Sequence, residues 1–156
     1  MQGMLYEKSD SITNMSLLNY TTQIEVEKTI GEIQKMLGKH GAQKTMMDYE
    51  DNVVSALSFA LIVNDKMMGF RLPCDWRPVL TLMKNDTKVP RRLCDQTQAV
   101  RVAWRIVKDW VEAQMALIDT AMVKTQDVFL PYTVMADGRT LAENVQDGKF
   151  LLGNGN

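Results

Sequence analysis

The chain has 156 residues, of which 46% are hydrophobic and 24% charged, the composition of an ordinary globular protein that can bury a core without staples. Two cysteines in no metal-type spacing and a single histidine disfavour a disulfide framework, zinc sites and histidine-based catalysis. No apolar run approaches the roughly 18 residues of a membrane span, and the first fourteen residues lack the apolar core of an export signal. We therefore expect a cytoplasmic protein.

The net charge of −1 hides a strong segregation along the chain. Residues 1–65 have 5 basic and 9 acidic side chains, residues 66–108 have 10 and 3, and residues 109–156 have 3 and 7. A basic central segment between acidic ends is typical of a polyanion-binding site. It is equally typical of a segment that pairs with its own acidic ends, so both interpretations stay open.

The beginning of the chain predicts a lead-in followed by a strand and a helix. Residues 1–14 are polar and are expected to be loosely ordered, with one domain over residues 15–150. The β-branched and aromatic content of Ser16–Val26 predicts a strand. The helical spacing of apolar residues over Glu27–Lys39, followed by Gly41, predicts a helix with a glycine C-cap, with His40 at its negative dipole end.

Three strands are predicted next, over Gln43–Tyr49, Val54–Val63 and Lys66–Leu72. A polar turn at residues 50–52 and a two-residue Asn64-Asp65 turn would join them into an antiparallel meander. The middle strand alternates bulky residues (Leu57, Phe59, Leu61, Val63) with smaller ones. We expect the bulky face to pack on helices.

Two helices are predicted in the second half of the chain. Asp75 is expected to cap a helix with Pro78 in its first turn, and Asp95 caps a long amphipathic helix that ends near Met122. The long helix is predicted to bury Ile106, Trp110 and Leu117. Beyond it, Phe129, Leu130 and Tyr132 are expected to cover the core, with a turn at Asp137-Gly138 and a short helix around Leu141–Val145. The fold class is α+β, with an antiparallel sheet of about four strands (β-α-β-β-β-α-α) packed on the long helix.

The best candidate binding residues lie in the basic segment. A row of cations on a loop and one helix face suits the phosphates of a nucleic acid, because each contact releases a condensed counterion. The candidate nucleic-acid contacts are Arg71, Lys84, Lys88, Arg91, Arg92, Arg101, Arg105 and Lys108.

These cations have competing structural explanations. Arg105 precedes Asp109 by four residues and Lys108 precedes Glu112 by four, pairs that could serve only the helix. Arg91, Arg92 and Arg101 have no such neighbour, so the prediction depends mainly on them. Arg71 lies inside a strand, where it either faces solvent, as such residues do on the open sheet face of single-strand binders, or forms a buried ion pair.

Other features favour structure or association over chemistry. Tyr20, Tyr49 and Phe59 could stack on bases but are more typical of a core. The acidic residues at 48, 50 and 51 lack the spacing of a metal loop. The doublets Met46-Met47 and Met67-Met68 place one methionine of each pair on the outer face, a candidate homodimer or partner contact. No catalytic motif, metal ligand set or cofactor-binding loop is present, so we expect a protein that is not an enzyme.

Several segments together resemble a family of small uncharacterised proteins encoded by phages and integrated mobile elements of gut Firmicutes. The resemblance is based on YTT (Tyr20–Thr22), TIGEIQKMLGKHGA (Thr29–Ala42), FRLP (Phe70–Pro73), RVAWRIVKDWVEAQMALI (Arg101–Ile118) and VFLPY (Val128–Tyr132). It implies a context, the cytoplasm of a bacterial host, and no assigned activity or site residues.

That context implies two classes of function. The first is a nucleic-acid-binding accessory protein, which would bind DNA, including single-stranded DNA, through the basic segment. The second is an anti-defence inhibitor of the anti-CRISPR type, which would dock on a host nuclease complex through acidic mimicry or an apolar surface. A small-molecule-binding module is a third class and requires a pocket.

Overall fold

The computed structural model describes residues 19–148 and shows an α+β protein. Helix α1 spans Val26–Lys39, followed by strands β1 (Lys44–Glu50), β2 (Val53–Val63) and β3 (Lys66–Pro73). Helix α2 spans Arg77–Asn85, the long helix α3 spans Gln96–Asp119, and two short helices follow, α4 (Thr125–Val128) and α5 (Leu141–Gln146). The predicted lead-in, residues 1–14, lies outside the described residues. No helix within residues 19–148 is long and apolar enough to cross a lipid bilayer.

The chain divides into two compact units by its internal contacts. In the described part, unit 1 comprises residues 19–31 and 75–110, and unit 2 comprises residues 32–74 and 111–148. Helices α1 and α3 each begin in unit 1 and end in unit 2.

The sheet, in unit 2, is antiparallel with strand order β1-β2-β3, three strands where about four were predicted. The turns at Asp51-Asn52 and Asn64-Asp65 have positive φ at both residues, as the two-residue turns of twisted hairpins require. Asparagine and aspartate tolerate this conformation better than other side chains, which is why the turns could be recognised. The meander is therefore confirmed almost to the residue.

The prediction of a first strand over Ser16–Val26 is wrong in its described part. Residues 19–25 form a turn and an irregular segment. The buried amide of Gln98 donates to the carbonyls of Tyr20 (2.7 Å) and Thr22 (2.9 Å), and the Thr22 hydroxyl accepts the Ile24 N–H (3.2 Å). Side chains thus take the backbone bonds that a neighbouring strand would have made.

The end of α1 and the beginning of α3 follow the predicted signals. After α1, Gly41 has φ +101°, and the N–H groups of Gly41 and Ala42 donate to the carbonyls of Gly38 and Leu37, the two bonds of a Schellman C-cap. Before α3, the Asp95 carboxylate accepts the Gln98 N–H at 2.8 Å. At the beginning of α2 the N-cap position is Trp76, without a side-chain cap, and the Asp75 carboxylate accepts the Arg77 N–H at 3.0 Å.

The long helix does not bury the residues that were predicted. Trp104 and Val111 are fully buried and Met115 nearly so, whereas Ile106 and Trp110 are half-buried and Leu117 is exposed. In the second half of α3 the buried stripe is therefore rotated by about a third of a turn from the predicted one. The apolar stripe was wide enough for either orientation, so periodicity could not choose between them.

Unit 2 has an aromatic centre. Phe59 and Phe70, paired across β2 and β3, stack at 5.2 Å between ring centroids, and Phe129 meets Phe59 edge-on at 5.0 Å. All three are buried, so Phe59 is not available as a base-stacking platform. Phe129 covers the core as predicted, but Leu130 is 48% exposed and does not.

Candidate nucleic-acid interface

The loop between α2 and α3 is held in place by apolar side chains in unit 1. Val89 is buried in a cluster with Met83, Ala99 and Val102, and Leu93 and Cys94 pack against the same cluster. The Cys94 thiol also lies 3.6 Å from the carbonyl oxygens of Met83 and Pro90. A loop anchored in this way presents its polar residues in a fixed arrangement.

Four of the predicted cations lie on this anchored loop or at its edge. We call them the basic loop: Lys84, Lys88, Arg91 and Arg92, all exposed. The Arg91 guanidinium donates to the Lys84 carbonyl at 3.1 Å, where the last carbonyls of α2 lack helical partners. Arg91 therefore has a local bond that was not predicted, and this bond draws it towards Lys84.

The one acidic residue between Lys84 and Arg92 is already engaged. The Asp86 carboxylate accepts the Lys88 backbone N–H at 2.8 Å, the geometry of an aspartate turn. The Arg92 side chain has no hydrogen-bond or ion-pair partner among residues 19–148. The stretch from Lys84 to Arg92 therefore displays a local excess of positive charge.

The arginines on α3 are less exposed than the cations of the basic loop, and they bond to other side chains of the protein. Arg101 forms an ion pair with Glu25 at 2.8 Å and donates to Gln98 at 3.5 Å, and Arg105 donates to the Thr29 hydroxyl at 3.4 Å. The expectation that Arg101 lacks a partner is therefore wrong. Its partner lies 76 residues earlier in the chain, beyond the reach of any local pairing rule. Arg101, Arg105 and Lys108 are all half-buried.

Arg71 belongs to unit 2 and is also engaged. Its guanidinium donates to the Gly138 carbonyl at 3.1 Å and to the Glu143 carboxylate at 3.4 Å. The same carboxylate accepts the Thr140 N–H at 2.7 Å as part of the capping box of α5. The two uses expected for a strand arginine were exposure to solvent and a buried ion pair, and the structure shows an ion pair that is only partly buried.

The two units differ in charge. The described part of unit 1 has nine basic and six acidic side chains, a balance of +3, while that of unit 2 has seven and eleven, a balance of −4. The excess of positive charge in unit 1 lies near the basic loop, since the helix cations have acidic or hydroxyl neighbours. Unit 1 is thus the unit that a polyanion would favour.

Unit 2 has a groove of small-molecule size. Its volume is about 390 Å³, and its lining includes Met46, Ser58, Ala60, Gly69, Arg71 and Val134. The lining is mostly apolar, and its arginine is the one already paired with Glu143. Within residues 19–148 no group of three or more histidine, cysteine or acidic side chains is arranged to hold a metal ion.

His40 has a structural position at the end of α1, as its place in the sequence predicted. Its Nδ1 lies 2.8 Å from the Met36 carbonyl oxygen and its Nε2 lies 2.8 Å from an Asp119 carboxylate oxygen. The bond to the Met36 carbonyl raises the pKa of His40 above its ordinary value, burial opposes this, and Asp119 adds to the rise. The ring links two helix ends within unit 2.

Sequence reasoning missed the acidic partners that neutralise part of the basic set, Glu25 and Glu143. The signal that could have found them is covariation among homologues, because both partners are more than 70 residues distant from their arginines. Comparison with protein-family models, with curated proteins and with solved structures gives no match to this chain.

Proposed function

We propose that the protein is a non-enzymatic nucleic-acid-binding accessory protein of a phage or mobile element, acting in the host cytoplasm without a cofactor. The observation that supports this proposal is the basic loop, where exposed cations surround a buried anchor, Val89. Phosphate contacts on an ordered loop lose little side-chain and backbone freedom on binding. They also release counterions, which is the main source of non-specific affinity for nucleic acids.

The basic loop replaces the broader row of cations as the proposed contact surface. Arg101, Arg105 and Arg71 have partners within the protein, and breaking those bonds would reduce the gain from a phosphate contact. The exposed side chains of Lys84 and Arg92 can meet phosphates without that loss, and Arg91 would give up only its bond to the Lys84 carbonyl. We therefore assign recognition to the loop and a supporting, structural role to the helix cations.

The test compares two triple variants that each remove three positive charges. The first is Lys84→Ala, Lys88→Ala and Arg92→Ala in the basic loop; the control is Lys35→Ala, Lys39→Ala and Lys66→Ala, three exposed lysines of unit 2. Binding to labelled single- and double-stranded oligonucleotides is measured by fluorescence anisotropy over a series of salt concentrations. Circular dichroism verifies that both variants are folded.

The basic-loop variant is expected to flatten the slope of log affinity against log salt by about 2–3, at roughly 0.7–0.9 per lost contact, while the control leaves the slope unchanged. Equal flattening in both variants would show that attraction is spread over the whole protein. Wild-type protein without salt-sensitive binding at low ionic strength would overturn the proposal.

The acidic character of unit 2 favours a second candidate, an anti-defence inhibitor that docks on a host nuclease complex. Residues 111–148 contain two basic and six acidic side chains, and such a surface can imitate nucleic acid. A pull-down with purified host nuclease complexes, with and without competing DNA, tests this candidate. The candidate is supported if the protein retains the nuclease complex and if added DNA reduces the amount retained.

A further inference from the structure

The two edge strands of the sheet in unit 2 differ in what lies beside them. Beyond β3, Phe70 bridges to Thr133 and the Val134 N–H donates to the Gly69 carbonyl at 2.9 Å, so this edge is covered. Strand β1 forms the other edge, and within residues 19–148 it pairs with β2 alone. Among these residues, the outward N–H and C=O groups of β1 therefore have no partner strand.

The β1 edge also exposes three large apolar side chains. Met46 is 61% exposed, Tyr49 63% and Met47 36%. Edge strands of monomeric proteins are normally shielded by charges or irregularities, because an exposed apolar edge is a template for pairing. The regular part of β1, Lys44–Asp48, has one charge at each end, and a register irregularity follows between Asp48 and Tyr49.

The charges at the ends of this segment are complementary under two-fold symmetry. Lys44, Met46 and Asp48 alternate along β1 and share one face of the sheet. Neither the Lys44 ammonium nor the Asp48 carboxylate has a partner within the described residues. When such a strand pairs antiparallel with a copy of itself about Met46, each lysine falls opposite an aspartate.

We propose that β1 is a homodimer interface, at which two copies of the chain join their sheets edge to edge about a two-fold axis at Met46. Lys44 then lies opposite Asp48 of the partner subunit, and Asp48 lies opposite the partner's Lys44. In an edge strand, the backbone N–H and C=O groups of every second residue point away from the neighbouring strand. Residues opposite each other across this axis have numbers that are both even or both odd, so the outward groups of one copy face the outward groups of the other. The interface is isologous and closes on two copies.

The register irregularity between Asp48 and Tyr49 favours pairing about Met46 over pairing about Met47 or Thr45. Centring the axis on Met47 would place Lys44 opposite the partner's Glu50, but the ladder would then run through the irregularity between Asp48 and Tyr49. Centring it on Thr45 would place Lys44 opposite the partner's Met46 and leave Asp48 beyond the strand. Pairing about Met46 alone uses the whole regular segment and both charges.

A charge exchange tests the proposal. Lys44→Asp and Asp48→Lys are made singly and together, with Lys66→Asp, an exposed residue of the β2–β3 hairpin, as the matched control. Sedimentation of the full chain over a concentration series gives the dimer dissociation constant, with a dimer of twice 17.7 kDa expected for the wild type. Each single variant turns two attractive cross-strand pairs into two repulsive ones.

The single variants are expected to weaken the dimer about tenfold or more, and the double variant to restore it to near the wild-type value. Lys66→Asp should have no effect. Wild-type protein that stays monomeric throughout the series overturns the proposal, as does a dimer that is indifferent to the single changes or that the double change fails to restore.

A cross-linking measurement covers the case in which a charge variant does not fold. Met46→Cys places two thiols across the axis, where opposing Cα atoms lie about 4.5–5.5 Å apart, within disulfide range. Glutathione disulfide oxidises the pair to an intersubunit disulfide and is itself reduced to two thiols. Met46→Cys should cross-link rapidly, whereas Met67→Cys, similarly exposed (55% against 61%) but on the hairpin, should not; equal rates would contradict the assignment.

Discussion

The basic loop of unit 1 and the arginines around α5 in unit 2 differ in what their positive charges do. In unit 1 the segment with the basic loop is anchored by the buried side chain of Val89, which packs in a cluster with Met83, Ala99 and Val102, and its cations are exposed. In unit 2 Arg71 is bonded to Glu143 and Arg139 to Asp147, and both pairs fasten the chain around α5. The difference shows that a cation is available to bind a partner molecule when other residues hold its segment in place. The position of the cation in a charged stretch of sequence does not reveal which residues hold the segment.

The largest effect is expected at Trp104, in the first half of α3. Trp104 is fully buried, so Trp104→Ala should lower the free energy of unfolding by about 3–5 kcal/mol through lost burial and the cavity left behind. Urea unfolding followed by circular dichroism measures the change. Trp110→Ala is the control, since Trp110 is only half-buried and should cost clearly less. If both variants lost the same free energy of unfolding, the predicted apolar stripe that includes Trp110 would describe the buried face of α3 better than the observed one.

A comparable loss, somewhat smaller because fewer atoms are removed, is expected at the centre of unit 2. Phe129→Ala removes the edge-on ring against Phe59 and Phe70 and should cost about 3–4 kcal/mol. Leu130→Ala, at a 48% exposed neighbour, should change stability by less than about 1 kcal/mol. The same unfolding assay compares them. If the two variants were equally stable, the aromatic centre would not hold unit 2 together.

The smallest effect is a pH dependence confined to unit 2. Both ring nitrogens of His40 face acceptors, the Met36 carbonyl and Asp119, and both can donate only when the ring is protonated. The pKa of His40 is therefore raised above 6.5, chiefly by the Met36 bond. A raised folded-state pKa stabilises the protein fully below about pH 6.5, and this stabilisation is lost as the pH rises through the folded-state value.

The measurement compares the melting temperatures of the wild type and His40→Gln at about pH 5.5 and pH 8.5, where histidine is mainly charged and mainly neutral. The difference between the two proteins should be larger at the lower pH. Asp119→Asn, which removes the negative charge beside Nε2 but keeps an amide oxygen that can accept a hydrogen bond, should show the same trend more weakly. A difference that grows towards pH 8.5 would contradict the assignment.

Much of the fold could be predicted because its signals are local. The meander follows from alternation and from two asparagine–aspartate turns, and α1 and α3 follow from helical spacing with Gly41 and Asp95 at their ends. Segment 19–25 was mistaken for a strand because β propensity says nothing of a glutamine 76 or more residues away that takes its carbonyl bonds.

The candidate site was predicted only in outline. The sequence by itself determined that positive charge is concentrated in residues 66–108 and that α3 is amphipathic, since both depend only on the order of residues. Tertiary structure decided that Arg101 and Arg71 are held by Glu25 and Glu143, while Arg92 on the basic loop stays exposed. It also decided that Trp104 is buried more completely than Trp110. Ion pairs and burial are set by distances in space, and residues far apart in the chain acquire those distances only when the chain has folded.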